Sequence, residues 1–214
     1  MVELNDDLEI KEEILRGSKI YTIDNFYKDP DSLVEYLISN KPSLWKQNEK
    51  PSYNGIHFED RKHEIVCKEM EPVFLFLQNI CGDNLYDTDE IVTNFIRFKK
   101  TRFNNFRDYY WSPHNDKGYT AIIYLNKEDT RSGTNLYSIL DPREPPIMKE
   151  HEDPWRPKEK YSVLKHIEPK YNRMVLYNGK KFTHGMNICN YDYFNKNYRM
   201  NQVCFFQDSG KKRY

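Results

Sequence analysis

Apolar residues along this chain change their spacing near residue 90, from a helical period to an alternation of two. Residues 1–16 are charged and hold no sustained period, which predicts a frayed or weakly helical start. Ile20–Phe26 alternates as a short strand does. Asp29-Pro30-Asp31-Ser32 opens a helix, because proline suits the first turn and acids suit the positive end of the helix dipole. Leu33, Val34, Leu37 and Ile38 recur at helical spacing and give it an inward stripe. Lys41–Gly55 contains two prolines and reads as loop. Arg61–Cys81 reads as a second amphipathic helix, with Ile65, Val66, Met70, Val73, Phe74 and Leu77 inward and Gly82 as its stop. Pro72 falls inside that run and implies either a kink or two shorter helices.

Beyond Asp89 the runs are short, aromatic and β-branched, separated by turn residues. Strands are predicted at Glu90–Lys100, Tyr119–Asn126, Gly133–Leu140, Ser162–Ile167, Arg173–Tyr177 and Tyr198–Gln207. Asn178-Gly179 is a tight-turn signal. Asp141–Lys160, with five prolines and many charges, is the long irregular piece, either a functional lid or an inert surface excursion. Helices followed by about eight strands describe an α+β chain whose second half is a double-sheet jelly roll.

Composition narrows the class. The 33 basic and 33 acidic residues cancel, so no whole-molecule field favours nucleic acid or an anionic membrane. Phe98-Lys-Lys-Thr-Arg102 and Arg107 mix basic and aromatic residues, but in a neutral chain they read as a solvated strand and turn. The 17 tyrosines suit strand faces whose outer ends are wet. A chain of 214 residues fits a single domain, with 1–90 supporting a core over 91–209 and 141–160 inserted as a lid. No basic and apolar leader opens it and no run reaches 18 apolar residues, so a cytoplasmic protein is expected, with no membrane partner. Cys67, Cys81, Cys189 and Cys204 form no CxxC pair and read as free thiols, with a Cys189–Cys204 bridge the minor alternative.

The candidate chemistry lies in Trp111-Ser112-Pro113-His114-Asn115-Asp116. His114 and Asp116 are two residues apart, and in extended backbone such side chains point to one side. Pro113 holds the preceding backbone extended. A third ligand is needed, and His184, 70 residues after His114, is the best candidate. Two imidazoles and one carboxylate with open positions are the donor set of non-haem Fe(II) oxygenases. His57, His63, His151 and His166 lack matching neighbours and read as non-ligands. Trp111 either lines a substrate mouth or packs beneath its loop.

These residues resemble the 2-oxoglutarate- and Fe(II)-dependent dioxygenases, most closely the prolyl-4-hydroxylase-like branch. The resemblance runs through His114-Asn-Asp116, Thr120–Asn126, Ser132-Gly133-Thr134, Asn172–Tyr177, His184-Gly185 and Arg199-Met-Asn201. Tyr21–Phe26 is similar to the strand that leads into the first helix of that family. Where the family has a glycine pair, this chain has Ser132-Gly133. The resemblance implies a double-stranded β-helix with flanking N-terminal helices. It also implies that His114, Asp116 and His184 bind Fe(II) and that Arg199, 15 residues after His184, pairs with the distal carboxylate of 2-oxoglutarate. Tyr124 and Asn201 would complete that pocket. The implied reaction consumes O2 and 2-oxoglutarate, yields succinate and CO2, and hydroxylates a peptide or protein side chain, with ascorbate as an accessory reductant. A free amino acid or a nucleobase stays open as substrate. So do two other classes: a non-enzymatic jelly-roll binding module, and a cupin-type metalloenzyme that does not use 2-oxoglutarate.

Overall fold

The computed structural model describes residues 2–39, 56–65, 71–81, 92–100, 107–128, 130–141, 155–189, 193, 197 and 199–206, with 56–65 and 92–100 described by backbone alone. Twelve strands among these residues form two antiparallel sheets. In chain order they are β1 (Glu9–Leu15), β2 (Ser18–Asp24), β3 (Ile56–Ile65), β4 (Val92–Lys100), β5 (Tyr109–His114) and β6 (Tyr119–Tyr124). After them come β7 (Thr134–Ile139), β8 (Trp155–Pro157), β9 (Tyr161–Ile167), β10 (Met174–Asn178), β11 (Thr183–Met186) and β12 (Arg199–Phe206). The seven-stranded sheet has the order β1-β2-β10-β6-β12-β4-β3, and the five-stranded sheet the order β8-β5-β11-β7-β9. From β4 to β7 and again from β9 to β12 the chain alternates between the two sheets, with β7, β8 and β9 together in the five-stranded sheet, which is the path of a jelly roll: a double-stranded β-helix.

Two apolar layers follow from the alternation of side chains. In β6, Ala121 and Ile123 face one layer while Ile122 and Tyr124 face the other. The outer layer joins the seven-stranded sheet to helices α1 (Pro30–Ser39) and α2 (Glu71–Cys81), through Leu33, Val73, Phe74 and Leu77. The inner layer, with Ile20, Ile122, Tyr124, Leu136, Val175, Tyr177 and Val203, fills the space between the sheets. Strands covered on both faces read as continuous apolar runs, which is why β6 and β10 are buried along almost their whole length.

The helix α1 starts where its sequence predicts, and Asp29 caps it by accepting the Ser32 N–H at 3.0 Å. Leu33 is buried, Val34 half-buried, and Ile38 is 45% exposed, so the expected inward stripe stops short of it. Two expectations are overturned. Residues 9–15 are a strand, not a weak helix: β1 pairs with β2 through a two-residue turn at Arg16-Gly17, both at positive φ (48° and 69°). Turns of that kind match the twist of a hairpin, and an edge strand tolerates the charges that hid it. Likewise the run from Arg61 is not one helix, since its first part is β3, paired with β4, and α2 begins only at Glu71. Pro72 thus stands in the first turn of α2, where its missing N–H costs no hydrogen bond.

Trp155–Pro157, placed in the irregular segment by the sequence, pairs as β8 with β5. Trp155 packs edge-on against Trp111 with ring centroids 5.2 Å apart, so both indoles are packing residues here. Lys158–Lys160 continue β8 as a short 3-10 turn, while 142–154 of the proposed lid, with His151, lie outside the described residues, as do the Lys41–Gly55 loop, Val66, Met70, Gly82 and Cys67. Cys81, Cys189 and Cys204 form no disulfide among the described residues, so the Cys189–Cys204 bridge is absent. No helix among the described residues is long and apolar enough to cross a membrane.

Candidate metal centre

His114 ends β5, Asp116 follows in the turn to β6, and His184 lies near the start of β11. β5 and β11 are antiparallel neighbours with His184 directly opposite His114, and a bulge lies between the His184 and Met186 pairings. The register therefore brings together residues 70 positions apart in the sequence. A ligand atom from each of His114, Asp116 and His184 lies within 4.8 Å of the others. The Asp116 carboxylate is 3.1 Å from His184 Nε2 and 3.6 Å from His114 Nε2.

Both imidazoles are oriented from behind. His114 Nδ1 lies 2.7 Å from the Ser112 carbonyl and His184 Nδ1 lies 3.0 Å from the Phe182 carbonyl. A carbonyl accepts only, so each Nδ1 is assigned a proton and each Nε2 is the ring atom turned to the cluster, where its lone pair would meet a bound metal. Ser112 reaches this geometry at φ 48°, a conformation costly for a residue with a side chain. Gly185 permits the strand approach: a Cβ there would stand 2.7 Å from the Trp111 carbonyl oxygen. The donor set of two neutral imidazole nitrogens and one carboxylate, with its outer hydrogen bonds in place, fits a divalent first-row ion.

Asp116 is held from three sides. Its N–H donates to the Gly179 carbonyl at 3.0 Å, and the Thr120 hydroxyl donates to its Oδ2. A Cβ on Gly179 would come within 2.8 Å of Asp116 Cβ and 2.6 Å of Thr120 Oγ1. Burial by itself would raise the Asp116 carboxyl; the two imidazoles and the Thr120 hydroxyl outweigh it and hold the group at about 2. Asn115, between the two ligands, accepts from the Thr183 hydroxyl at 2.9 Å and donates to the Lys180 carbonyl at 3.2 Å. It thereby ties the HxD turn to the residue preceding His184. The sequence marked Asn178-Gly179 as a turn only; nothing local in it signals that this turn braces a carboxylate 63 residues earlier.

Arg199, Asn201 and Tyr124 also meet inside the barrel. Asn201 and Tyr124 are directly opposite each other in the β12–β6 pairing, and Arg199 is 6% exposed. Its guanidinium donates to the Ser132 carbonyl at 3.1 Å and to Asn201 Oδ1 at 2.5 Å, and lies 5.7 Å from the centroid of the Tyr124 ring. Burial lowers its pKa, opposed by Tyr124 and Tyr177. Tyr124 Oη and Thr134 Oγ1 are hydrogen-bonded at 2.7 Å. Ser132 and Thr134 thus enter the pocket through the Ser-Gly-Thr stretch, while Asn201 braces the arginine. His166 lies apart from the cluster, its Nδ1 2.7 Å from Asn135 Oδ1.

No family model matches the chain, and no curated protein is similar to it. Among solved structures, a putative oxygenase from Shewanella oneidensis aligns with a TM-score of 0.51 at 10% identity, over 88% of this chain and 81% of that one. A Pseudomonas putida prolyl-4-hydroxylase aligns at 0.43 and 12% identity, over 85% and 86% of the two chains. An oxidoreductase of the 2OG-Fe(II) oxygenase family from Burkholderia pseudomallei aligns at 0.42 and 11%, over 83% and 77%. The two lower scores carry no weight for the fold. The likeness at 0.51, together with the strand order described above, gives this chain a double-stranded β-helix fold, with a His-Asp-His cluster that could hold a metal ion.

Proposed function

We propose that the protein is a 2-oxoglutarate- and Fe(II)-dependent dioxygenase that hydroxylates a peptide or protein side chain. The observation that carries the reading is the pairing of two features inside one barrel. One is the convergent His114, Asp116 and His184; the other is the buried, braced guanidinium of Arg199. His114 and His184 would hold iron through Nε2 and Asp116 through its carboxylate. Arg199 would pair with the distal carboxylate of 2-oxoglutarate, where its planar fork gives bidentate geometry and burial strengthens the attraction. Asn201 and the Ser132 carbonyl would aim the fork, and Tyr124 would supply a second donor beside it. Bound iron and 2-oxoglutarate would supply the oxidising chemistry, coupling uptake of O2 and loss of CO2 to hydroxylation. The walls of Ile122, Leu136, Val175 and Val203 would keep water from that chemistry. The choice of a peptide or protein acceptor rests on the motif resemblance.

Anaerobic addition of Fe(II) and then 2-oxoglutarate tests the reading. The wild-type protein is expected to develop the weak visible charge-transfer band of the chelated 2-oxo acid. Arg199→Ala is expected to keep its iron but to need about thirtyfold or more 2-oxoglutarate for the same band, as for a buried ion pair broken on one side. A wild-type protein that binds iron without any band would instead be a metal site of another kind.

A further inference from the structure

Tyr177 is fully buried, yet nothing in its packing needs a hydroxyl. It stands on the inner face of β10 among Ile20, Val175, Phe182 and Val203, where phenylalanine would fill the same space. Its ring meets the His184 ring edge-on, with centroids 4.9 Å apart. Directly opposite in the β10–β6 pairing is Thr120, whose hydroxyl is bound to Asp116. Tyr124, beside the Arg199 guanidinium, belongs to the same inner layer. Tyr177 therefore adjoins the metal-binding cluster and shares a layer with Tyr124, over whose ring the Arg199 guanidinium lies.

The hydroxyl oxygen is buried and has no hydrogen-bond partner among the described residues, in contrast to the Tyr124 hydroxyl, which is bonded to Thr134. A buried polar group left unpaired is costly, and such groups in native proteins call for a reason. A phenol is protonated at neutral pH, so this hydroxyl can donate. An acceptor from a bound ligand would satisfy this donor, and the Arg199 cation beside Tyr124 in the same pocket favours an anionic one.

We infer that Tyr177, whose ring lies against His184, is a binding residue for the co-substrate and that its hydroxyl donates a hydrogen bond to a carboxylate oxygen of the bound 2-oxo dicarboxylate. The inference rests on the proposed function of this site. Tyr177→Phe keeps the ring and its contact with His184 and removes only the donor. Three readouts are taken on wild type and variant: the melting temperature of the metal-free protein, the affinity for Fe(II), and the 2-oxoglutarate concentration that half-develops the anaerobic band. The variant is expected to melt no lower than wild type and to bind iron equally. It should need roughly ten- to a hundredfold more 2-oxoglutarate, the effect of one hydrogen bond to a charged acceptor. A wild-type band with half-development within about twofold in the variant would overturn this role and leave the reading of the site intact. A lowered melting temperature with unchanged half-development would make Tyr177 a core residue only. Absence of the band in the wild type would overturn both.

Discussion

Gly179 shows how a residue without a side chain can set the position of a metal ligand. Its carbonyl accepts from the Asp116 N–H, and its missing Cβ leaves room for the Asp116 carboxylate and the Thr120 hydroxyl that holds it. Gly179→Ala forces a methyl group to within 2.8 Å of Asp116 Cβ, so either the turn or the carboxylate must shift. Displacing an outer-shell support of a ligand lowers metal affinity by about ten- to a hundredfold. That loss is expected for Gly179→Ala, read as Mn(II) or Fe(II) affinity in competition with a chelator. Wild-type affinity in the variant would mean that the turn moves and the ligand does not. Thr120→Val, which keeps the shape and removes the donor to Asp116, should lie in the lower part of that range.

Among the elements, the connection from β9 to β10 does more than join two strands. Asn172, at φ 59°, accepts from the Tyr27 N–H at 2.9 Å and donates to the Tyr27 carbonyl at 2.8 Å. Its backbone carbonyl takes the Phe26 N–H, and its own N–H donates to the Tyr124 carbonyl. One residue thus locks the end of β2 onto β10 and β6, and asparagine is among the few residues that adopt this backbone conformation readily. Asn172→Ala removes two buried hydrogen bonds and adds backbone strain, an expected loss of about 3 kcal/mol in urea unfolding. Asn172→Gly relieves the strain and should recover about 1 kcal/mol of that loss. Equal stability of the two variants would show that the side-chain bonds carry the whole effect.

For the molecule as a whole, acid stability should report the clasp between β2 and β10. Asp24 accepts from Arg173 Nε at 2.6 Å and pairs with Lys170 at 2.8 Å, and its carboxyl is lowered from 3.8 to about 2, first by the Arg173 hydrogen bond against the cost of burial. A carboxylate depressed on folding stabilises the native state above its ordinary pKa, and that stability is lost as pH falls through the folded value. Wild type should therefore lose its advantage over Asp24→Asn between about pH 4 and pH 2 and keep it unchanged toward neutrality. Because the side chain is 32% exposed, screening limits the effect to about 1 kcal/mol. Parallel acid-unfolding curves for the two proteins would show that the clasp contributes nothing.

Sequence alone was sufficient for the features set by local spacing. The short apolar runs at Tyr119–Tyr124 and Met174–Asn178, the helix start at Asp29-Pro30, and the i, i+2 placement of His114 and Asp116 all depend on neighbours in the chain. Tertiary structure decided what depends on partners far away. β1 and β3 are strands because β2 and β4 complete their hydrogen bonds, although charge and a short apolar stripe gave their own residues a helical look. His184 reaches His114 through the β5–β11 register, and Asn201 turns out to brace Arg199. The backbone oxygen of Ser112, the bare Cα of Gly179 and the buried hydroxyl of Tyr177 acquire roles only when distant strands close around them. Close approach and burial are properties of pairs of segments, and a linear pattern encodes each segment's own period but not the distance between them.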